Sequence, residues 1–185
     1  MIEVLLFSIW FFLPAGLANV TPVFARMIPG FTKLSHPIDG GKMWQGKRIL
    51  GDNKTWRGLL FGVFIGVITL ALQKYLFNNS LWLQDNLPNT VDYQTVTLWL
   101  GVLLGFGALA GDAIESFIKR QSGYNSGSSW FPFDQIDYIV GGLLASSLVV
   151  ALTFSQVLII IVIWFGMHLF WTYVGYLIGV REDPI

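Results

Sequence analysis

The stretch QVLIIIVIWFGMHLFWTYVGYLIGV, Gln156 to Val180, contains no Asp, Glu, Lys or Arg. An α-helix needs about 20 predominantly apolar residues to cross the hydrocarbon core of a bilayer, so this segment predicts a transmembrane helix. Backbone groups in lipid must be hydrogen-bonded within the protein, so only helices and closed barrels span membranes. The alternating polarity of barrel strands is absent from the chain. The segment therefore indicates an all-α, polytopic membrane protein.

The composition of the whole chain agrees with this assignment. The 185 residues are 54% hydrophobic and 12% charged, with a mean hydropathy of +0.62, whereas a soluble domain carries about 25% charged residues. The formal net charge is zero, which gives no reason to expect a nucleic-acid partner. The chain has no cysteine, so disulfides, thiolate metal sites and cysteine nucleophiles are excluded. We predict one membrane-embedded domain over residues 1–185, and we interpret the first apolar run as a retained span.

Further apolar segments bring the predicted number of transmembrane helices to about five. They are Val4–Met27, Gly58–Phe77, Thr95–Ile118 and Tyr138–Thr153. Only the short segment Thr153 to Gln156 separates the last two spans.

Lys and Arg are concentrated in the loop after the first span. That loop carries Lys33, Lys42, Lys47, Arg48, Lys54 and Arg57. The loop from Asn78 to Gln94 has no basic residue, whereas Lys119 and Arg120 follow the third span and Arg181 lies in the tail. The positive-inside rule therefore predicts a cytoplasmic C-terminus, two cytoplasmic loops that carry the active site, and an external N-terminus in the cell membrane.

The first cytoplasmic loop reads PIDGGKMWQGKRILGDNKTWRG from Pro37 to Gly58. Glycines let a backbone approach an anion closely, and Lys and Arg supply charged donors for phosphate oxygens. An ordinary basic loop contacting anionic lipid headgroups is the alternative, and we favour it for Lys33, Lys42 and Lys47. The candidate substrate-binding residues of this loop are Asp52, Asn53, Lys54, Thr55 and Arg57.

The third span ends in GDAIESFIKR, Gly111 to Arg120. At 100° per residue, Asp112, Glu115 and Lys119 fall within about 60° of arc on one helical face, with Ser116 beside them. Acids at a membrane edge are costly and usually face a cavity, a partner or a site. A simple ion pair between Glu115 and Lys119, four residues apart, is the alternative.

The segment WFPFDQIDYIVGG begins at Trp130 and places Asp134 and Asp137 at the start of the fourth predicted span. Helix capping and interaction with the helix dipole are alternative roles for these two acids. Together with Asp112 they predict a cluster of carboxylates suited to Mg²⁺, which also binds substrate phosphates. The chain has only two histidines, so neither a histidine metal site nor a Ser-His-Asp triad is expected.

The motifs GDNKTWRG, GDAIESFIKR and PFDQIDY, with LPAGLANVTPVF in the first span, resemble the CDP-archaeol synthase family of membrane cytidylyltransferases. The resemblance covers nearly the whole chain in order. It implies that CTP and an isoprenoid ether glycerol phosphate lipid react to give a CDP-lipid and pyrophosphate, with Mg²⁺ as the cofactor.

The resemblance also implies roles for individual residues. Asp112, Asp134 and Asp137 would hold magnesium. The residues that would hold the nucleotide and lipid phosphates are Lys54, Arg57, Lys119 and Arg120, and the candidate substrate-binding set also includes Glu115 and Ser116. Lys119 is grouped with the three aspartates as a catalytic residue.

Alternative functions remain open from the sequence. A related enzyme would act on ester-linked phosphatidic acid and give CDP-diacylglycerol. A CDP-alcohol phosphotransferase is disfavoured because its long Asp-Gly-x-x-Ala-Arg signature is absent. A small transporter subunit is the non-enzymatic alternative, but transporters usually place polar groups near the bilayer midplane, whereas these charges lie at one surface.

Overall fold

The computed structural model describes residues 2–29, 31–125 and 127–179. Its helices are α1 Ile2–Ala25, α2 Trp56–Asn78, α3 Leu81–Asn86, α4 Trp99–Gln121, α5 Phe133–Ser146 and α6 Phe154–Leu177. The loop between α1 and α2 contains a 3₁₀ turn and a short antiparallel hairpin of β1 and β2. Their bounds are Thr32–Leu34 for the turn, Met43–Trp44 for β1 and Lys47–Arg48 for β2. The predicted all-α membrane fold is confirmed.

Within the described residues, four helices are long and apolar enough to cross a membrane, namely α1, α2, α4 and α6. The predicted number of five spans is not confirmed, because α5 has only 14 residues. At 1.5 Å per residue it is about 21 Å long, shorter than the roughly 30 Å of a hydrocarbon core. Val180 and Arg181, in the predicted last span and tail, lie outside the described residues.

The helix predicted over Tyr138–Thr153 has different bounds in the structure. It begins at Phe133 and ends at Ser146, because the hydroxyls of Ser146 and Ser147 donate back to the carbonyls of Leu143 and Leu144 at 3.1 and 2.7 Å. Such side-chain bonds compete with the helical backbone pattern.

The turn predicted at Thr153–Gln156 marks the beginning of α6. Thr153 caps the helix, accepting from the Gln156 backbone N–H at 3.3 Å, while the Gln156 side chain accepts from the Thr153 N–H at 2.9 Å. This reciprocal capping box fixes where the chain re-enters a helix.

Glycines bring α2 and α4 into backbone contact. A Cβ atom added to Gly66 would lie 2.8 Å from the carbonyl oxygen of Gly101, and one added to Gly101 would lie 2.9 Å from the oxygen of Gly66. No side chain fits at these distances, so the small residues at four-residue spacing serve close helix packing.

The core of the bundle is aromatic where α1 meets α5 and α6. Phe12 is fully buried, and its ring centroid lies 5.5 Å from that of Trp164 and 6.2 Å from that of Tyr138. The Trp164 indole N–H donates to the Ser8 carbonyl at 3.1 Å, and a Cβ on Gly16 would fall 2.0 Å from the Trp164 ring. The indole therefore fixes the packing of α6 against α1.

Candidate active site

The site begins where α4 crosses α5. A Cβ atom on Gly111 would lie 2.3 Å from the carbonyl oxygen of Asp137, and one on Gly141 would lie 2.2 Å from the oxygen of Gly107. The two backbones are therefore in contact at this crossing. Because Asp112 follows Gly111 directly, this contact brings its carboxylate next to Asp137.

Three carboxylates meet at the crossing. Asp112, Glu115 and Asp137 each offer an oxygen, and these oxygens all lie within 4.8 Å of one another. Glu115 is only 7% exposed, and its Oε1 has no hydrogen-bond partner. Buried carboxylate oxygens that lack hydrogen bonds are rare in folded proteins. The cluster is therefore a candidate site for a hard divalent cation.

Asp134 is not part of that trio, although it contacts Glu115 and shares Lys119 with it. Its Oδ1 accepts from Lys119 Nζ at 2.5 Å and its Oδ2 accepts from the Trp130 N–H at 2.7 Å. The same lysine lies 3.7 Å from Glu115. Lys119 is thus held between two acids, and the pairing of Glu115 with Lys119 that the sequence offered as an alternative is present as a second contact.

Lys54 links the first loop to the acid cluster. Its ammonium group donates to both oxygens of Asp112 at 2.7 Å, and both side chains are half-buried. A single lysine that bridges both oxygens of a carboxylate is a charge-assisted contact. The contact joins residues 58 positions apart in sequence and closes the loop over the end of α4.

These groups face one cavity of about 540 Å³. Its charged lining residues are Arg26, Lys54, Asp112, Glu115, Lys119, Arg120 and Asp134. Asp137 is not among the lining residues and reaches the site through the acid cluster. The cavity is large enough for a nucleotide or a lipid headgroup, since ligand sites run from about 300 to 1,000 Å³.

Arg120 is a cavity residue with hydrogen-bond donors that no group of the described residues uses, which suits it to bind an anion. It is 9% exposed, and neither its Nε nor its Nη1 has a hydrogen-bond partner. A guanidinium cannot lose its charge at physiological pH, and its forked donors match phosphate oxygens. The arrangement indicates that an anionic ligand completes this contact.

The first loop is organised around a buried acid, Asp39. Its carboxylate accepts from the backbone N–H groups of Gly41 at 3.0 Å, Leu50 at 2.9 Å and Gly51 at 3.2 Å. Arg48 donates to it at 3.1 Å. Burial acts to raise the pKa of Asp39, but these hydrogen bonds outweigh it and lower the pKa to about 2. Asp39 therefore ties the hairpin to the segment that ends at Lys54.

The hairpin is also fixed to the end of α4. Lys47 Nζ donates to the Gln121 carbonyl at 2.5 Å, and the Gln121 side chain donates to the Arg48 carbonyl at 3.2 Å. The headgroup-binding role expected for Lys47 is thus accompanied by a structural contact. Two connections, one through Asp39 and one through Gln121, therefore hold the loop beside the site.

The other predicted residues of the loop differ in whether they line the cavity. Asn53 and Thr55 line the cavity; Asn53 accepts from Arg26 at 2.9 Å, and Thr55 caps α2 through the Gly58 N–H at 3.1 Å. Asp52 pairs with Arg48 at 2.7 Å and is exposed. Among the described residues, neither Asp52 nor Arg57 lines the cavity.

Ser116, predicted beside the acids on α4, is buried and lines the cavity. Other lining residues were not identified as site residues from the sequence. The polar ones among them are Asn19, Arg26, Ser128, Ser129, Gln135 and His168. Asn19 and His168 carried one usable signal, since each is a polar side chain within an otherwise apolar helix.

Comparison with known proteins identifies the family of the chain. The model of the CarS-like CDP-archaeol synthase family matches residues 1–185. The CDP-archaeol synthase of Archaeoglobus fulgidus is 37% identical over 190 residues, covering 100% of this chain and 99% of that protein. The CDP-archaeol synthase of Thermococcus onnurineus is 35% identical over 181 residues, covering 97% and 96%.

A solved structure described as "Structural insight into an intramembrane enzyme for archaeal membrane lipids biosynthesis" superimposes with a TM-score of 0.70. It is 31% identical in sequence and covers 89% of this chain and 92% of its own. Sequence and structure therefore agree over nearly the whole molecule. The chain belongs to the CDP-archaeol synthase family.

Proposed function

We propose that the protein transfers CMP from CTP to an isoprenoid ether glycerol phosphate lipid, most specifically 2,3-bis-O-geranylgeranyl-sn-glycerol 1-phosphate. A lipid phosphate oxygen attacks the α-phosphorus of CTP and forms the new P–O bond. The bond between the α-phosphorus and the bridging oxygen breaks, and pyrophosphate leaves with the electron pair. The products are a CDP-archaeol-type lipid and pyrophosphate.

One observation carries this proposal: acids and cations for phosphate chemistry meet around a single cavity at one end of the bundle. Asp112 and Glu115 face Lys54, Lys119 and Arg120 there. Phosphoryl transfer depends mainly on positioning and charge stabilisation. The attacking phosphate is ionised at neutral pH, so the reaction needs no general base, which suits a chain without cysteine and with only two histidines.

The acid cluster fits Mg²⁺. The three carboxylates supply hard oxygen ligands, and Glu115 Oε1 accepts no hydrogen bond, its nearest cation being Lys119 at 3.7 Å. We assign the ion to Asp112, Glu115 and Asp137. When bound, Mg²⁺ supplies charge neutralisation for the triphosphate and the leaving pyrophosphate.

Asp134, a predicted metal ligand, receives a different role in this proposal. It is not one of the three acids whose oxygens lie within 4.8 Å of one another, and its Oδ1 accepts from Lys119 at 2.5 Å. We therefore assign Asp134 to orienting Lys119, and Lys54, Lys119 and Arg120 to holding phosphates. Arg57 remains a proposed contact for the part of a substrate that extends beyond the cavity.

We place the site at the cytoplasmic face, with the N-terminus outside. The support is the basic loop that closes over the cavity, because cytoplasmic loops are enriched in Lys and Arg. CTP then enters from the water, and the lipid enters sideways from the inner leaflet. Ester-linked phosphatidic acid is the competing substrate, since its phosphate presents the same chemistry.

Purified protein tests the proposal directly. Incubation with labelled CTP, Mg²⁺ and each candidate lipid should give a CDP-lipid with the di-ether substrate, and a faster rate with the ester would reverse the lipid assignment. Asp112→Asn and Asp137→Asn should each lower turnover at least about a hundredfold in folded protein, the scale of losing one preorganised charge-stabilising group. Near-normal rates in both variants would remove them from the metal site.

A further inference from the structure

Gln135 is a buried polar residue to which the reaction proposed above gives no role. It is 2% exposed, lines the cavity, and its Oε1 has no hydrogen-bond partner. A buried side-chain oxygen is normally paired. The amide therefore presents an acceptor to the cavity that calls for an N–H or O–H donor.

The cavity also has polar lining residues that carry no charge. They include Asn19 from α1 as well as Gln135 from α5, and His168 from α6 lies in the same lining. Tyr138, one turn further along α5, donates to the Trp164 carbonyl at 3.1 Å and packs against Phe12. These aromatic side chains pack behind the site and do not line the cavity. The amides of Asn19 and Gln135 do line it, and an amide can pair with the edge of an uncharged ring, whereas phosphate favours cationic donors.

The two proposed substrates differ in what they can offer to Gln135 Oε1. The di-ether lipid phosphate has no O–H or N–H once its phosphate is ionised, so it cannot satisfy an acceptor. CTP carries the exocyclic amino group of cytosine and the ribose hydroxyls. Of these donors, the amino group is the one that uracil lacks. Uracil has a carbonyl at that position and an N–H at N3, where cytosine has a lone pair. Cytosine N4 is a donor in base recognition generally.

We propose that Gln135 is the residue that selects cytosine, with Oε1 accepting from the exocyclic amino group and Nε2 donating to ring N3. The amide and the base edge are complementary in this arrangement, because each contributes one donor and one acceptor. With the amide in this orientation, uracil would place its O4 lone pairs against Oε1 and its N3–H against the Nε2 donor. This inference rests on the proposed function, because it assigns a base-reading group to that same nucleotide site.

A chemical double-mutant cycle tests the contact. The probes are CTP and the triphosphate of the pyrimidin-2-one ribonucleoside, which is cytidine without the amino group. In the wild type, removal of the amino group should lower kcat/KM roughly 10- to 100-fold, the effect of leaving a buried partner unpaired. In Gln135→Met the two nucleotides should react within about threefold of each other, and discrimination against UTP should fall in parallel.

Gln73→Met is the matched control. Gln73 is also 2% exposed with an unpartnered Oε1, but it does not line the cavity and its Nε2 donates to the Trp10 carbonyl. That variant should keep the full penalty for the missing amino group. Equilibrium binding of the two nucleotides, measured by calorimetry on each folded variant, should repeat the pattern without relying on turnover.

Other outcomes overturn the inference. If the amino-group penalty in Gln135→Met equals that of the wild type, Gln135 does not read the base. If 2′- or 3′-deoxy-CTP loses its penalty in Gln135→Met while the amino-free nucleotide keeps it, the amide contacts the ribose instead. A wild type that makes no CDP-lipid from any candidate substrate would refute the proposed function. That result differs from an unchanged amino-group penalty in Gln135→Met, which would refute only the role of Gln135.

Discussion

The crossing of α4 and α5 gives the sharpest test of how the fold creates the site. In Gly111→Ala the new Cβ would lie 2.3 Å from the Asp137 carbonyl oxygen and 3.1 Å from the Gly141 Cα. Close C–H···O contacts between helices are about 3.3 Å long, so the helices must separate by about 1 Å. The Asp112 and Asp137 carboxylates would move apart by a similar distance.

A displacement of about 1 Å in a catalytic site can lower the rate about a hundredfold. We therefore expect Gly111→Ala to lose about two orders of magnitude in CDP-lipid formation and to bind Mn²⁺, a spectroscopic probe for Mg²⁺, more weakly by electron paramagnetic resonance. Overpacking also costs about 1–3 kcal/mol of stability. Circular dichroism and the melting temperature in detergent show whether the variant remains folded.

Gly166→Ala is the matched control on α6. A Cβ at Gly166 meets no atom within 4 Å, so the same chemical change should leave both activity and Mn²⁺ binding unaltered. Alanine also favours helix over glycine by about 1 kcal/mol, so reduced helix propensity cannot account for a loss in Gly111→Ala. Near-normal turnover in folded Gly111→Ala would refute the claim that this backbone contact positions the acids.

Two further predictions concern the loop over the site. Because hydrogen bonds lower the pKa of Asp39 from 3.8 to about 2, its ionised form should stabilise the fold by about 2 kcal/mol above pH 4, a contribution lost as the pH falls from about 4 to 2. Asp39→Asn should therefore melt lower at pH 6 and show a flatter pH dependence between pH 4 and 2; unchanged melting would contradict the anchor role. Lys54→Met should bind Mn²⁺ more tightly, because Asp112 loses its ammonium partner, and CTP more weakly. Lys42→Met, at an exposed lysine of the same loop that does not line the cavity, should change neither. Weaker Mn²⁺ binding in Lys54→Met would contradict the competition between lysine and metal ion.

The sequence predicted the fold class because bilayer-spanning segments are read from length and polarity alone. It could not predict the end of α5, since Ser146 and Ser147 stop the helix by local hydrogen bonds inside a run that hydropathy treats as continuous. The number of spans depended on that boundary, and so the expected five were not confirmed.

The sequence predicted which kinds of side chain form the site, but not which of them contact one another. Helical periodicity placed Asp112, Glu115 and Lys119 on one face, and the structure directs all three to the cavity. Periodicity gives no information about which acid from α5 meets them. That choice follows from the contact of Gly111 with the Asp137 backbone, which brings Asp137 into the cluster, while Asp134 one turn earlier pairs with Lys119. Gln135 lies between those two acids in sequence, where no pattern marks it.

Two of the cations around the cavity are neutralised by acids when no substrate is bound. Lys54 is paired with Asp112, and Lys119 is paired with Asp134, so burial of these groups does not leave isolated charges, which would be costly. A phosphate that draws a lysine away from its acid leaves a carboxylate in need of a new cation. Binding of the nucleotide and of a divalent ion should therefore favour each other, since each satisfies the group that the other displaces. Arg120, whose two buried donors have no partner, is the cation that can bind phosphate first without breaking an ion pair.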